Sequence, residues 1–144
     1  MKRLNRKGFT LVELLAVIVI LAIVVGITLV TVLPTLKDSR QQAFNVTAQT
    51  AADAIEKEYQ LSLIGQNKTI KAFGTKKEDG TYTPVSFGAT NAATYNGVGL
   101  KATNYTSGTY YVDTTTGRAC VKLTANPEGE YNNIEDNTAE SSGC

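Results

Sequence analysis

The chain has 144 residues, with 14 lysine and arginine side chains against 13 aspartate and glutamate side chains. It contains no histidine, so the usual general base for a serine or cysteine nucleophile is missing, and no phosphate-binding loop is present. The near-neutral charge gives no sign of the basic stripe that a nucleic-acid-binding surface needs. We therefore expect no enzymatic activity, no cofactor and no specific nucleic-acid partner.

The N-terminal quarter combines a basic end with a long apolar run. Glu13 is the one charged side chain in residues 9–33. As a helix rising 1.5 Å per residue, this run would be about 37 Å long, enough to cross a hydrocarbon core of about 30 Å. The cations that precede the run are Lys2, Arg3, Arg6 and Lys7. The positive-inside rule places this basic end in the cytoplasm and the rest of the chain outside.

The carboxylate of Glu13 is unusual in such surroundings. An ionised group in a membrane-spanning helix costs roughly 2.5–3.5 kcal/mol on insertion scales, so such a residue usually has a partner. We expect the partner of Glu13 to be another protein chain.

Residues 7–13, Lys-Gly-Phe-Thr-Leu-Val-Glu, resemble the class III signal peptide of type IV pilins and of the pseudopilins of type II secretion. The resemblance covers the basic leader, residues 1–8, and the apolar stretch behind it. It implies that a prepilin peptidase and methyltransferase cuts after Gly8 and N-methylates Phe9. It also implies an inner-membrane assembly platform and a helical filament of identical subunits and other pilins, in which Glu13 is an assembly contact.

An ordinary secretory signal and a plain signal anchor both fit this N-terminal segment less well. A secretory signal has a short apolar region followed by a cleavage site with small residues, and residues 30–37 offer no such site. A signal anchor would span the membrane, but it would require neither Glu13 nor Gly8. Loss of the leader would leave 10 basic against 13 acidic side chains, a side-chain charge of −3.

The helical pattern continues past the membrane segment, so we expect one long helix over residues 9–64. Its second half, residues 34–64, carries an apolar stripe at spacings of three and four that would dock a small head. The stripe consists of Phe44, Ala48, Ala51, Ile55 and Tyr59. Pro34 lacks an N–H and clashes one turn back, so we expect a kink or a local break there. Gly65 is a natural stop.

Residues 65–144 are predicted to form a β-rich globular head. The whole chain is then an α+β protein, with a long N-terminal helix packed on a small antiparallel sheet, the pilin fold. The predicted strands are residues 69–73, 81–87, 109–114 and 118–124. Pro84 would keep the second of these at a sheet edge, and residues 87–104 are expected to be mostly loop.

The C-terminal tail, residues 125–144, has five acidic side chains and no basic one. Its few apolar anchors are Tyr131 and Ile134, so the tail would be flexible unless a further link held it to the head. Cys120 and Cys144 would lie on the oxidising side of the membrane, so we predict a disulfide between them, with two unrelated thiols as the alternative. The pair also resembles the disulfide-bounded C-terminal loop of many type IV pilins.

The sequence thus predicts a structural subunit of a type IV pilus, membrane-anchored before assembly and afterwards part of a bacterial surface filament. One alternative is a pseudopilin of a type II secretion or competence system. The predicted disulfide argues against it, since the resemblance implies a bound Ca²⁺ in that region of major pseudopilins. Another alternative is a membrane-anchored adhesin that never polymerises, which would not need Glu13. A loose Ca²⁺ site at Glu135, Asp136 and Glu140 is the alternative to an acidic solvated loop.

Overall fold

The structure is a computed structural model that describes residues 10–66, 69–70, 72–87 and 96–144. Its main elements are α1 (Leu11–Leu63), β1 (Thr75–Lys76), β2 (Tyr82–Thr83), β3 (Val85–Ser86), β4 (Tyr105–Asp113), β5 (Ala119–Ala125) and β6 (Thr138–Glu140). The chain divides into two compact units, Met1–Leu36 and Lys37–Cys144, and α1 contributes residues to both. The predicted α+β class is confirmed.

In the first unit, α1 satisfies its own polar groups. Thr28 donates its hydroxyl to the carbonyl of Val25 at 3.0 Å, and Thr35 donates to the carbonyl of Thr31 at 3.1 Å. Such internal bonds suit a helix in apolar surroundings, because no water is needed to satisfy the hydroxyls. The residues on both sides of Pro34 are helical, so the local break expected there is not found. A kink without loss of helix stays a prediction.

In the second unit, α1 buries the predicted stripe and ends where the sequence indicates. Phe44, Ala48, Ala51 and Ile55 are fully buried, and Tyr59 is partly buried against them. The helix ends in a Schellman motif: the amide of Gln66 donates to the carbonyl of Leu61 at 2.8 Å, and that of Gly65 donates to the carbonyl of Ser62 at 3.0 Å. Gly65 has φ of 71°, which a glycine adopts without strain.

The sheet of the second unit has the strand order β2-β1-β4-β5-β6, and β3 also pairs with β4. The long antiparallel pair of β4 and β5 is its centre, with Tyr110 opposite Val121. The sheet was predicted to be antiparallel and is mixed: β1 pairs with β4 in parallel, and the other strand pairs are antiparallel. A parallel pair needs a long connection, and the stretch from Lys76 to Tyr105 supplies one.

The predicted strands 109–114 and 118–124 are confirmed in their main part: they overlap the C-terminal half of β4 and most of β5. The predicted strand 81–87 is divided into β2 and β3 at Pro84, because proline cannot donate to a strand ladder. β2 is at a sheet edge, as expected. The prediction of a strand within residues 69–73 is wrong, since the described residues there are not extended in the sheet and pairing starts only at Thr75. The sequence did not predict β6.

The hydrophobic core of the second unit lies between α1 and the inner face of the sheet. The strand residues that meet the stripe of α1 include Tyr110, Val112, Ala119, Val121 and Leu123. Within the predicted loop 87–104, Phe87, Val98 and Leu100 also contribute buried side chains. Residues 88–95 of that loop lie outside the described residues.

Candidate functional site

The N-terminal turn of α1 places Glu13 in a closed set of hydrogen bonds with Thr10. The Thr10 amide donates to Glu13 Oε2 at 2.9 Å, and the Thr10 hydroxyl donates to the same oxygen at 3.0 Å. In return, the Glu13 amide donates to Thr10 Oγ1 at 3.3 Å. This reciprocal arrangement is a capping box, in which Thr10 is the N-cap and Glu13 the third helical residue.

The prediction from the sequence gives Glu13 a partner in another chain and misses Thr10. The signal for Thr10 is present, because Thr-x-x-Glu directly before an apolar run is the pattern of a capping box. The Glu13 carboxylate therefore has a hydrogen-bond partner, Thr10, inside its own chain. The predicted cleavage and methylation residues, Gly8 and Phe9, lie outside the described residues.

The first unit exposes an almost continuous apolar surface. The large apolar side chains from Leu11 to Leu36 are exposed by fractions between 48% for Val19 and 79% for Leu11. Of the described helices, α1 is the one long and apolar enough to cross a membrane, and none of its apolar window is buried. Length and composition alone also fit the core helix of a soluble protein, but a core helix would be mostly covered by its own chain.

The comparison with protein families agrees with this apolar segment. A model of the prokaryotic N-terminal methylation motif matches residues 3–29. This segment is a class III signal peptide. It is the kind that type IV pilins and pseudopilins carry, and the match spans Gly8, Phe9 and Glu13. The long helix and small mixed sheet form a pilin-like α+β arrangement. Comparisons with curated proteins and with solved structures found no match.

At the C-terminal end of the chain, Cys120 and Cys144 form a disulfide, with their Cα atoms 4.5 Å apart. Cys120 is fully buried in β5. Gly143 lets the chain reach it, because a Cβ atom there would overlap the carbonyl oxygen of Ala119. The disulfide-bounded tail therefore passes directly against the backbone of β5.

A buried serine joins the tail to β5 just before the disulfide. The Val121 amide donates to Ser141 Oγ at 3.0 Å, and this hydroxyl donates to the Ala119 carbonyl at 3.2 Å. The Ser141 amide also donates to the Val121 carbonyl at 2.9 Å. Ser141 is 4% exposed, so these bonds satisfy a polar side chain that burial would otherwise penalise.

The tail is also anchored to the second unit's part of α1 through an aromatic side chain. The ring of Tyr131 lies 4.8 Å from that of Phe44 and 6.2 Å from that of Tyr105, measured between ring centroids. Its hydroxyl shares a 2.8 Å hydrogen bond with Thr47 Oγ1. Ile134 is partly buried against the same core. Both predicted anchors of the tail are therefore in place.

Polar side chains of α1 add contacts that the sequence did not reveal. The acceptors and donors they meet are mostly backbone groups of the tail, spaced along its length. Arg40 Nη1 donates to the Asn132 carbonyl at 3.1 Å and to the Asn132 side-chain oxygen at 2.8 Å. Gln41 Oε1 accepts a hydrogen bond from the Asp136 amide at 3.1 Å. Gln49 Oε1 accepts one from the Ser142 amide at 2.8 Å. The tail is tied down over most of its length.

Three acidic side chains of the tail, Glu130, Asp136 and Glu140, have partners within the chain. Asp136 Oδ1 accepts bonds from the Thr138 amide at 2.9 Å and the Thr138 hydroxyl at 2.8 Å, and these bonds hold the pKa of its carboxyl below the ordinary value. Glu140 forms a 2.8 Å ion pair with Lys122 on half-exposed side chains. Among the described residues, no group of three histidine, cysteine, aspartate or glutamate side chains is arranged to hold a metal ion.

Proposed function

We propose that this chain is the structural subunit of a type IV pilus. In this proposal the leader, residues 1–8, is removed after Gly8, Phe9 is N-methylated, and the apolar half of the helix, residues 9–33, forms the filament core. Residues 34–64 dock the head, residues 65–144, which forms the filament surface. The observation that carries the proposal is an uncovered apolar helix with a single acidic residue, inside a matched methylation motif.

The apolar surface of the first unit requires a partner that its own chain does not supply. Removing a large aliphatic side chain from water is worth roughly 1.5–3 kcal/mol, so an array of such side chains strongly favours lipid or other helices. The membrane provides the first environment and a bundle of identical helices provides the second. Transfer from one to the other keeps the apolar surface buried throughout, which is what a subunit drawn from a membrane pool needs.

Glu13 gives this transfer its register. After cleavage the amino group of Phe9 is a cation about one helical turn from Glu13. A neighbouring subunit that aligns the two groups pairs charges that would be costly alone in apolar surroundings. The partners are then a prepilin peptidase and methyltransferase, an inner-membrane assembly platform, further copies of the chain and other pilins. The N-terminus is cytoplasmic before assembly, as the four leader cations favour.

A pseudopilin of a type II secretion or competence system is the second candidate, because the methylation motif occurs in both classes. The disulfide-bounded tail favours the pilin. A membrane-anchored adhesin that does not polymerise is the third, and Glu13 speaks against it.

Sheared surface material from cells that express the chain together with a pilus assembly system tests the proposal. We expect thin filaments by electron microscopy, whose main component has the mass of residues 9–144 with one disulfide and one added methyl group. If the chain is a pilus subunit, deletion of the retraction ATPase should increase the yield of sheared filaments. If the mature chain begins at any residue other than Phe9, or stays in the membrane fraction with no filaments, the proposal is wrong.

A further inference from the structure

We propose that Thr10 is a positioning residue, which holds the Glu13 carboxylate ready for the neighbouring subunit during assembly. This inference rests on the proposed function. Two observations support it: Thr10 contributes both of its hydrogen-bond donors to Glu13, and it receives the Glu13 amide in return.

Thr10 binds only one of the two oxygens of the Glu13 carboxylate. Both bonds from Thr10 go to Oε2, and Oε1 takes part in none of the hydrogen bonds among the described residues. A carboxylate has about four lone-pair sites on its two oxygens, so a cation can bind at Oε1 while Thr10 keeps its bonds. The intersubunit pair therefore does not require the capping box to open.

The benefit of this arrangement is pre-organisation. A free glutamate side chain rotates about three bonds, and much of that freedom is lost when it enters an ion pair. Thr10 restricts the side chain before assembly, so the assembly step itself carries less of that loss. Its two donors also replace water around the carboxylate, which an apolar bundle excludes.

The hydroxyl group of Thr10 can be removed without changing the shape of the side chain. Thr10→Val keeps the branched side chain and the backbone amide but loses both hydroxyl bonds. Thr10→Ser keeps the hydroxyl and serves as the matched control. Glu13→Gln keeps the size of the glutamate side chain but removes its charge, so it reports whether Thr10 acts through that carboxylate.

Each variant is expressed with an epitope-distinguished wild-type copy, and its share of sheared filaments is divided by its share of the mature subunits in the membrane. This ratio removes any effect of Thr10 on cleavage. We expect this incorporation ratio to be about tenfold lower for Thr10→Val than for the wild type, which corresponds to about 1.4 kcal/mol. The ratio for Thr10→Ser should stay near that of the wild type. In a Glu13→Gln background, Thr10→Val should cause no further fall, because the two residues act as one unit.

Three outcomes would overturn the proposal: wild-type incorporation of Thr10→Val, a defect of equal size in Thr10→Ser, or a further fall in the Glu13→Gln background. A second measurement does not depend on filaments. In detergent micelles, the amide proton of Thr10 in the mature chain should change its NMR shift on Glu13→Ala, which removes the acceptor, by more than the amide of Leu21 does. An unchanged shift of the Thr10 amide would show that the contact between Thr10 and Glu13 is not formed. Absence of wild-type filaments would refute the pilus function, and the NMR shift would still decide on the contact.

Discussion

Loss of the disulfide should release the C-terminal tail before any other part of the second unit. The perturbation is the double variant Cys120→Ala and Cys144→Ala, compared with the oxidised wild type. The two cysteines are 24 positions apart. For a loop of that size, the loop-entropy model gives about 3.5 kcal/mol of stabilisation. This figure applies to the unfolded chain, so it is the expected loss of global stability. Tyr131, Ser141 and Gln49 restrain the folded tail independently of the disulfide, and they limit how far it opens locally.

Hydrogen exchange measured by mass spectrometry on the full chain in micelles separates local from global effects. Amides of residues 126–144 should lose protection in the variant, and amides of the helix stripe around Ala51 should keep most of theirs. The difference follows from burial, since Ala51 is fully buried while much of the tail is exposed. Tyr131→Phe is the matched control: it keeps the ring against Phe44 and removes only the hydrogen bond to Thr47.

Two results would refute this reasoning. If the variant and the wild type showed equal protection in the tail, the polar contacts alone would hold it and the disulfide would be dispensable. If the helix and the tail lost protection together, the second unit would open as one cooperative block. Mass measurement after alkylation without reductant must first show both thiols protected in the wild type.

The remaining predictions concern processing, assembly and acid. Replacing Gly8 by a bulkier residue should leave the uncleaved precursor in the membrane, which gel mobility and N-terminal sequencing would detect; a normally cleaved variant would contradict the assigned site. Glu13→Ala should be inserted and cleaved normally yet build no filaments, and electron micrographs with filaments of normal number and length would revive the simple-anchor hypothesis. The pKa of Asp136 lies below its ordinary value of 3.8, because Thr138 donates to the ionised carboxyl. These bonds are therefore fully present above about pH 4 and are lost as the pH falls through the lowered pKa. Amide exchange near Thr138, corrected for its intrinsic pH dependence, should therefore rise in acid in the wild type. The Asp136→Asn variant should show no such rise.

The elements that local patterns specify were predictable. The stripe from Phe44 to Ile55 follows the helical period, and the β4 and β5 segments alternate apolar and polar side chains, so neither depends on distant residues. The helix end was also predictable, since Gly65 supplies the left-handed conformation that the Schellman motif requires.

What the sequence did not reveal depends on residues far apart. β6 is three residues long with one buried side chain, Ala139, and it exists only because β5 offers an edge. The parallel register of β1 and the bonds from Arg40 to Asn132 are likewise set by tertiary packing. The capping box of Thr10 is a different case, because its Thr-x-x-Glu pattern is local and is visible in the sequence.

The outer strands of the sheet have a consequence for crowding. Among the described residues, β2 and β6 end the strand order and β3 pairs only with β4, and these three strands are only two or three residues long. Pro84 follows β2 directly and has no amide to offer a neighbouring strand. Long free edges invite strand pairing between molecules. In the proposed filament, heads held side by side would therefore have little template for cross-β aggregation, and the surface would stay a set of separate domains.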